Sequence, residues 1–319
     1  YAVKTDGTLW AWGDNSFGRL GVGDTEDRYT PVKVMDNVST ITAFNIENDG
    51  YYTWDSAFVV KTDGTLWAWG RNNHGQLGVG DTEDRYTPVK VTDDVSTIAL
   101  GYRDSAYAVK TDGTLWAWGN NYWGQLGVGD AKNRYAPVKV MDNVSTVTTT
   151  FSFDNVGANA YSSAYAVKTD GTLWAWGSNS YGQLGVGGLD RYATPVKVMD
   201  NVSTITTNGG TAYVVKTDGT LWAWGSNDYS RLGVGDTEDR YIPVKVMDNV
   251  STIIASEYSA CAVKTDGTLW AWGDNGWGQL GVGDTETRYV PVKVTDSVSA
   301  VAVNENGTVA YAVKTDGTL

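Results

Sequence analysis

Residues Thr111–Gly119 have the sequence TDGTLWAWG, and this segment gives the strongest indication of the fold. Asp112-Gly113 is a strong hairpin signal, because both central residues of a two-residue hairpin turn are expected at positive φ. Side chains alternate along a strand, so the two tryptophans lie on one face and Leu115 and Ala117 lie on the other. The stretch predicts a hairpin whose second strand has one bulky face and one small face.

The same stretch recurs along the whole chain of 319 residues. Its first five residues begin at Thr5, Thr62, Thr111, Thr169, Thr217, Thr265 and Thr315. The first six copies continue as Trp-Ala-Trp-Gly, and the chain ends before the seventh copy does so. The spacing is about 50 residues, with two insertions, and a period of this length is typical of repeat folds.

Each repeat contains four β-strand segments and no helical periodicity. In the copy that starts at Val95, the predicted strands A to D are Ser96–Leu100, Ala106–Lys110, Thr114–Trp118 and Pro137–Met141. A four-stranded sheet covers both of its faces only when it stacks against its neighbours. The sequence therefore predicts an all-β propeller of four-stranded antiparallel blades, with about six repeats in a single domain over residues 1–319.

Composition and charge exclude several classes of function. The formal net charge is −13, which disfavours nucleic acid and anionic membrane surfaces as partners. No apolar run is long enough to span a membrane. The single His74 and the single Cys261 cannot supply a metal cluster or a catalytic triad, so we expect no enzyme activity and no cofactor.

Two further chemical signals are weak. Carboxylates recur in most copies, as in Asp24–Asp27, which favours a solvated loop over one acid–base pair. The repeated Gly-Val-Gly-Asp provides oxygen atoms that suit Ca²⁺, but its spacing matches neither an EF-hand nor the Gly-Gly-x-Gly-x-Asp β-roll repeat, and glycines also serve backbone geometry.

A longer motif follows each Trp-Ala-Trp-Gly. It reads Trp-Gly-x-Asn-x-x-Gly-Gln-Leu-Gly-x-Gly-Asp and precedes a Pro-Val strand, as in Trp69–Asp81 with Pro88. The pattern resembles the regulator-of-chromosome-condensation repeat family, whose members are seven-bladed propellers. Departures are Arg19 and Arg231 in place of the Gln, and Ser230 in place of the first Gly.

The resemblance implies a module that binds a partner. The near-identical copies resemble the bacterial members of the family more than its founding eukaryotic member. The bacterial members include a propeller inhibitor of β-lactamases and surface-exposed interaction modules. We therefore expect a bacterial, extracellular or cell-surface protein that binds another protein. Carbohydrate binding by the same loops and a purely architectural role are the alternatives.

The two ends of the chain carry the same nine residues, Tyr1–Leu9 and Tyr311–Leu319. This indicates a fragment of a longer array. It predicts either an incomplete seven-bladed ring or a six-bladed ring that the final strand A closes.

Variation among the copies locates the candidate site. The B–C and D–A turns are nearly uniform, which turn geometry explains, whereas the A–B and C–D loops differ. Ring side chains occupy one position of each C–D loop, namely Phe17, His74, Trp123, Tyr181, Tyr229 and Trp277, with Tyr122 beside Trp123. Insertions in two A–B loops add Tyr51, Tyr52 and Trp54 within Phe44–Ser56, and Phe151, Phe153 and Tyr161 within Thr149–Ser163. Aromatic side chains flanked by variable polar residues are typical of a protein-binding surface, although each ring could instead pack on its own loop or on the next blade.

Overall fold

The computed structural model describes residues 1–43, 56–101, 104–153, 160–304 and 308–318, and it describes no side chains within 151–161. The regular structure of the described residues consists of β-strands and two one-turn 3-10 helices, Ser16–Gly18 and Asp228–Ser230. None of the helices among these residues is long and apolar enough to cross a membrane.

Within the described residues the strands form seven sheets, numbered along the chain. Sheets 1 and 2 contain β1 (Ala2–Val3), β2 (Leu9–Gly13) and β3 (Arg28–Met35), and then β4 (Val38–Ala43), β5 (Ser56–Lys61), β6 (Leu66–Gly70) and β7 (Arg85–Thr92). Sheets 3 and 4 contain β8 (Val95–Gly101), β9 (Ser105–Lys110), β10 (Leu115–Gly119) and β11 (Arg134–Met141), and then β12 (Val144–Phe153), β13 (Ala160–Lys168), β14 (Leu173–Gly177) and β15 (Tyr192–Met199).

Sheets 5 to 7 follow the same order. Sheet 5 contains β16 (Val202–Asn208), β17 (Thr211–Lys216), β18 (Leu221–Gly225) and β19 (Arg240–Met247). Sheet 6 contains β20 (Val250–Ala255), β21 (Ser259–Lys264), β22 (Leu269–Gly273) and β23 (Arg288–Thr295), and sheet 7 contains β24 (Val298–Val303) and β25 (Ala310–Lys314).

The architecture confirms the predicted all-β propeller of four-stranded blades. Sheets 2 to 6 each have four strands in the order A, B, C, D, and sheet 1 has strands B, C and D. Strand β24 pairs with β25 in antiparallel register, as expected for the start of a further repeat. The four predicted strands of sheet 3 all exist, and strand D begins three residues earlier than predicted, at Arg134.

The B–C hairpin differs from its predicted form. Gly113 has a φ of 80°, but Asp112 is not among the residues with positive φ. The Gly113 amide donates to Lys110 O and the Lys110 amide donates to Thr114 O, both at 2.9 Å. The expectation of two positive-φ residues is wrong, because the hairpin has a three-residue loop in which only the glycine is left-handed.

Hydrogen bonds between sheets explain the uniform turns. In sheet 2 the Val38 amide donates to Gly7 O of sheet 1, at 2.9 Å, and Asn37 O accepts from the Thr62 amide at 2.8 Å. The third residue of each D–A turn is left-handed, and Asn37 has a φ of 60°. Each D–A turn is thus hydrogen-bonded to the neighbouring B–C turns, which restricts the sequences that either turn can have.

In sheets 2 to 6 the second tryptophan of Trp-Ala-Trp-Gly is fully buried at the junction with the preceding sheet, whereas Trp12 of sheet 1 is 43% exposed. Trp118 is fully buried, and its Nε1 donates to Gln76 O in the C–D loop of the preceding sheet, at 2.8 Å. The same bond joins Trp69 to Arg19 O, Trp224 to Gln183 O and Trp272 to Arg231 O, each at 2.7 Å. The first tryptophan, Trp116, is half-buried and donates to Thr114 Oγ1 of its own hairpin.

The chain divides into two compact parts. The first comprises residues 1–149, 164–169 and 192–195, and the second comprises residues 150–163, 170–191 and 196–319. Sheets 1 to 3 belong to the first part, and sheets 5 to 7 belong to the second. The single domain stays a prediction.

Candidate functional site

The C–D loop motif is a self-contained network of hydrogen bonds. In sheet 2 the buried Asn72 donates through Nδ2 to Asp81 O at 3.0 Å, and its Oδ1 accepts from the Leu77 amide at 3.0 Å. The amide of Asn72 donates to Asp84 Oδ1 at 2.7 Å. These bonds explain the fixed Asn and the acidic residues that follow, because each satisfies a polar group of the loop.

The repeated Gly-Val-Gly-Asp carboxylates also belong to this network. Hydrogen bonds from the Glu83 amide and from Arg85 hold the pKa of Asp81 below its usual value, and Arg85 Nη2 lies 2.5 Å from Asp81 Oδ2. In the part of the chain that the structure describes, no three His, Cys, Asp or Glu side chains are grouped so that they could hold a metal ion.

The Gln or Arg of the motif sets the backbone of the ring residue two positions before it. Gln76 Oε1 accepts from the His74 amide at 2.9 Å, and the Trp123, Tyr181 and Trp277 amides donate to their glutamines in the same way. In the two Arg copies Phe17 and Tyr229 have positive φ values of 57° and 60°. An arginine offers no acceptor, so those two loops adopt the short 3-10 helices instead.

In the first compact part, two ring residues contact the following sheet. His74 Nδ1 lies 2.7 Å from Asp104 Oδ2 in the A–B loop of sheet 3. The Arg71 guanidinium of sheet 2 lies 5.0 Å from the centre of the Phe17 ring, within the range of a cation–π contact. Both residues therefore pack against the next blade while remaining about two-fifths exposed, at 41% for the His74 side chain and 42% for Phe17.

Tyr122 and Trp123 form a pair in the C–D loop of sheet 3. Their rings lie edge to face, with 4.9 Å between centroids. Tyr122 is 62% exposed, whereas Trp123 is half-buried. The tyrosine is thus the more accessible member of the pair.

In the second compact part, Tyr229 packs edge to face on Tyr258 of the next A–B loop, with 4.9 Å between centroids. Beneath them the buried Arg231 donates to Glu257 O at 2.9 Å and to Ser226 Oγ at 2.9 Å. Its guanidinium holds three loop segments together, and Tyr229 remains 54% exposed above it.

The two remaining ring residues of this part differ in exposure. Trp277 is the most exposed of the ring residues, at 79%. Tyr181 is half-buried.

The described residues include only part of the two insertions. Tyr51, Tyr52 and Trp54 lie outside the described residues. Phe151 and Phe153 are in strand β12 and Tyr161 is in β13, so these strands extend into the second insertion, but their side chains also lie outside the description.

Sequence reasoning missed two features. The first is the backbone carbonyl at the Gln or Arg position, which accepts a hydrogen bond from the buried indole of the next sheet. Only the recurrence of Trp-Ala-Trp-Gly indicated it. The second is a cavity beside Cys261, lined also by Ser256 and Gln279. Its signal was the cysteine itself, which stands where most copies have tyrosine.

Comparison with known proteins agrees with the fold. The sequence profile described as "RCC1-like domain" matches residues 48–312. The chain belongs to the RCC1-like domain family. A second profile, "Regulator of chromosome condensation (RCC1) repeat", matches residues 6–44.

Two similar proteins of known sequence come from eukaryotes. The Arabidopsis thaliana ultraviolet-B receptor UVR8 is 33% identical over 201 residues, which are 62% of this chain and 43% of the receptor. The human E3 ubiquitin-protein ligase HERC2 is 28% identical over 206 residues, which are 61% of this chain and 3% of the ligase. The chain thus spans less than half the length of these relatives.

Solved structures share the architecture at low identity. Human WBSCR16 is similar with a TM-score of 0.65 and 21% identity, covering 94% of this chain and 80% of that protein. Yeast RCC1 (Prp20), in its crystal structure with Kap60, gives a TM-score of 0.65 and 21% identity, covering 98% of this chain and 78% of that protein. A separate Prp20p structure from Saccharomyces cerevisiae, reported with its binding properties to Gsp1p and histones, gives a TM-score of 0.62 at 21% identity, covering 93% of this chain and 74% of that protein. At this identity the likeness establishes the fold alone.

Proposed function

We propose that this chain is a non-catalytic module that binds a protein partner through its A–B and C–D loops. The observation that carries the proposal is the exposure of ring side chains on these loops: Trp277 is 79% exposed, Tyr122 62% and Tyr229 54%. Exposed aromatic side chains held by a rigid scaffold lose little conformational freedom on binding and are enriched among residues that dominate interface energies. The rigidity comes from the loop network around Asn72 and its equivalents.

Charge indicates the kind of partner. Acidic side chains accompany the exposed rings: the Asp14 side chain is 51% exposed and the Asp228 side chain is 63% exposed. The arginines nearest to them, Arg19 and Arg231, are largely buried, with side chains 15% and 8% exposed. A partner with a basic surface would be attracted to these loops, and its association would slow as salt increases.

The similarity to Prp20p supports a protein partner, since binding to Gsp1p and histones was studied for that protein. We extend the proposal to a bacterial protein that acts outside the cell or at its surface. This location rests on the sequence resemblance to bacterial surface members, and surface labelling of intact producing cells with an antibody tests it.

The binding test compares two variants. The loop variant replaces Tyr122, Tyr229 and Trp277 with Ala. The turn variant replaces Asp93 and Asp248 with Ala; their side chains are 56% and 58% exposed in surface ion pairs, which contribute little to stability. Partners are selected from a displayed library of proteome fragments of the producing organism, and their affinities are measured for all three proteins.

We expect the loop variant to lose at least about 30-fold in affinity, since one hot-spot residue is worth about 2 kcal/mol, and the turn variant to bind normally. Equal affinity of the loop variant, with its circular dichroism unchanged, would refute the proposal. A glycan array with the same proteins tests the carbohydrate alternative, for which the exposed rings would provide stacking surfaces. An architectural role predicts no saturable ligand in either assay.

A further inference from the structure

Two C–D loops of the chain have the same unusual backbone. In the loops of sheets 1 and 5 an arginine replaces the glutamine of the motif, and the ring residue two positions before it is left-handed. Phe17 has φ and ψ values of 57° and 17°, and Tyr229 has values of 60° and 18°. The two side chains therefore leave equivalent loops in the same direction, so their surroundings can be compared position by position.

The Phe17 ring contacts a cation that the next sheet supplies. Arg71 is the first residue after Trp-Ala-Trp-Gly in sheet 2, and its guanidinium lies 5.0 Å from the centre of the Phe17 ring. A planar guanidinium against an aromatic face is a favourable cation–π arrangement. One repeat of the chain itself thus shows which chemical group a ring at this position accepts.

Tyr229 has no equivalent of this cation, because Asp274 of sheet 6 stands at the position of Arg71. Tyr229 is 54% exposed, against 42% for Phe17. The half-buried Tyr258 packs against it at an interplanar angle of 74°, with 4.9 Å between centroids. The two tyrosines form an aromatic corner that is partly exposed, and an acidic residue occupies the position from which sheet 2 supplies its guanidinium.

Three carboxylates belong to the segments that hold the aromatic corner. Asp228 and Glu257 are exposed and adjoin the two tyrosines in sequence, and the Asp274 amide donates to Tyr258 O at 3.0 Å. The cation of these segments is the buried Arg231, whose Nη2 lies 3.3 Å from Asp228 Oδ2. The carboxylates outnumber this guanidinium, so the surroundings of the corner carry a net negative charge.

The groups around the corner are fixed in place and keep the capacity to accept further hydrogen bonds. Asp274 accepts from Gln279 Nε2 at 2.8 Å and from the Gly276 amide at 3.3 Å, and an ionised carboxylate has about four acceptor sites. Burial, followed by the adjoining Glu257 carboxylate, raises the pKa of Tyr258 to about 12. The Tyr258 ring is therefore neutral at physiological pH.

We propose that the corner of Tyr229 and Tyr258 receives an arginine side chain of the protein partner. The guanidinium lies against the rings and donates to the surrounding carboxylates. This inference rests on the proposed function and specifies the chemistry that the partner presents at one point of the loops. Arginine is favoured over lysine because a guanidinium stacks on aromatic rings and is more weakly hydrated than an ammonium group.

The first test uses the unmodified chain and three capped tripeptides, in which arginine, lysine or citrulline lies between two glycines. Tyrosine rings labelled with ¹³C report binding at the corner by NMR. We expect saturable shifts with the arginine peptide and a Kd on the order of 1–10 mM. The citrulline peptide has nearly the same shape without the charge and should bind at least about tenfold more weakly, and the lysine peptide about threefold more weakly.

Variants provide the second test. Asp274→Arg copies the arrangement of Phe17 and Arg71 and should abolish binding of the arginine peptide, because the chain then fills its own site. Asp248→Arg is the matched control. It changes the charge equally in a D–A turn, where the Asp248 side chain is 58% exposed, and should retain binding. Arg71→Asp should expose the Phe17 ring and create a second site, seen as peptide-dependent shifts of ¹³C-labelled phenylalanine, which keeps the inference testable if Asp274→Arg does not fold.

Equal affinity for the arginine and citrulline peptides, or retained binding of the arginine peptide by Asp274→Arg, would overturn the inference. The protein partners selected in the binding test separate this failure from a failure of the proposed function. If they bind Asp274→Arg as tightly as the unmodified chain, the inference is wrong although the proposed function holds. If no protein partner is selected but the arginine peptide binds as expected, the proposed function fails and the guanidinium site is supported.

Discussion

Gly233 and Gly281 occupy the same motif position in consecutive C–D loops, but only Gly233 faces a tryptophan of the next sheet. Their φ values are 72° and 70°. A Cβ on Gly233 would lie 2.7 Å from Trp272 Cδ1 and 2.8 Å from Nε1, whereas on Gly281 its nearest neighbour would be Val294 Cγ1 at 3.5 Å. Replacing each with Ala therefore separates the backbone cost from the packing cost.

The backbone cost should be equal at the two sites. A left-handed alanine costs about 1–2 kcal/mol. At Gly233 the Trp272 ring must also move, which weakens its 2.7 Å hydrogen bond to Arg231 O. Overpacking of this kind costs about 1–3 kcal/mol, and an unpaired buried donor costs about 1–3 kcal/mol. We therefore expect Gly233→Ala to lower the free energy of unfolding by about 2–6 kcal/mol more than Gly281→Ala does.

Urea denaturation followed by circular dichroism measures both values. Hydrogen exchange of strand β22 adds a local readout, because Trp272 lies in that strand and should lose protection only in Gly233→Ala. Equal losses for the two variants would refute the account of the junction, since strain alone would then explain the glycine.

Three other predictions concern single interactions. Phe58→Tyr should stabilise the fold by about 0.5–1.5 kcal/mol, because the added hydroxyl reaches Gln76 O; a lowered melting temperature would contradict this. Arg231→Gln should change the φ of Tyr229 from 60° to a negative value, because the new carboxamide oxygen accepts a hydrogen bond from the Tyr229 amide. The amide–Hα coupling constant measures this change, and an unchanged value would contradict the prediction. Hydrogen bonds from Thr114 lower the pKa of Asp112 from 3.8, and the equivalent aspartates in other turns behave alike. The stabilisation is therefore present above about pH 4 and is lost as the pH falls through the lower folded-state pKa. Melting temperatures measured at a series of acidic pH values should decline in that range, and a constant melting temperature would contradict the assignment.

Much of the fold was predictable because the repeat is short and its strands are local in sequence. The alternation in Trp116–Trp118 predicted strand C, and the structure contains it as β10. The sequence did not reveal that the two tryptophans differ. Trp118 is buried in the preceding sheet while Trp116 lies half-exposed on its own hairpin, because the neighbour that buries Trp118 comes from another repeat.

The candidate site was less predictable. Phe17, His74 and Tyr229 occupy equivalent positions, but Arg71, Asp104 and Tyr258, which they contact, come from the next sheet and match no common motif. The Gln-to-Arg change at Arg231 looked minor in the sequence. Its effect on the Tyr229 backbone follows from a lost acceptor two residues away, which only the loop geometry reveals.

The tryptophan-to-carbonyl bond at each junction also bears on how such a chain can evolve. At four junctions among the described residues, the earlier repeat supplies the acceptor and the later repeat supplies the indole donor, as Arg231 and Trp272 do. Unequal recombination between near-identical repeats can therefore add or delete one whole copy without leaving an indole unpaired at the new boundary. Selection can then act on the loops, while the register between neighbouring copies is restored by the inserted copy itself.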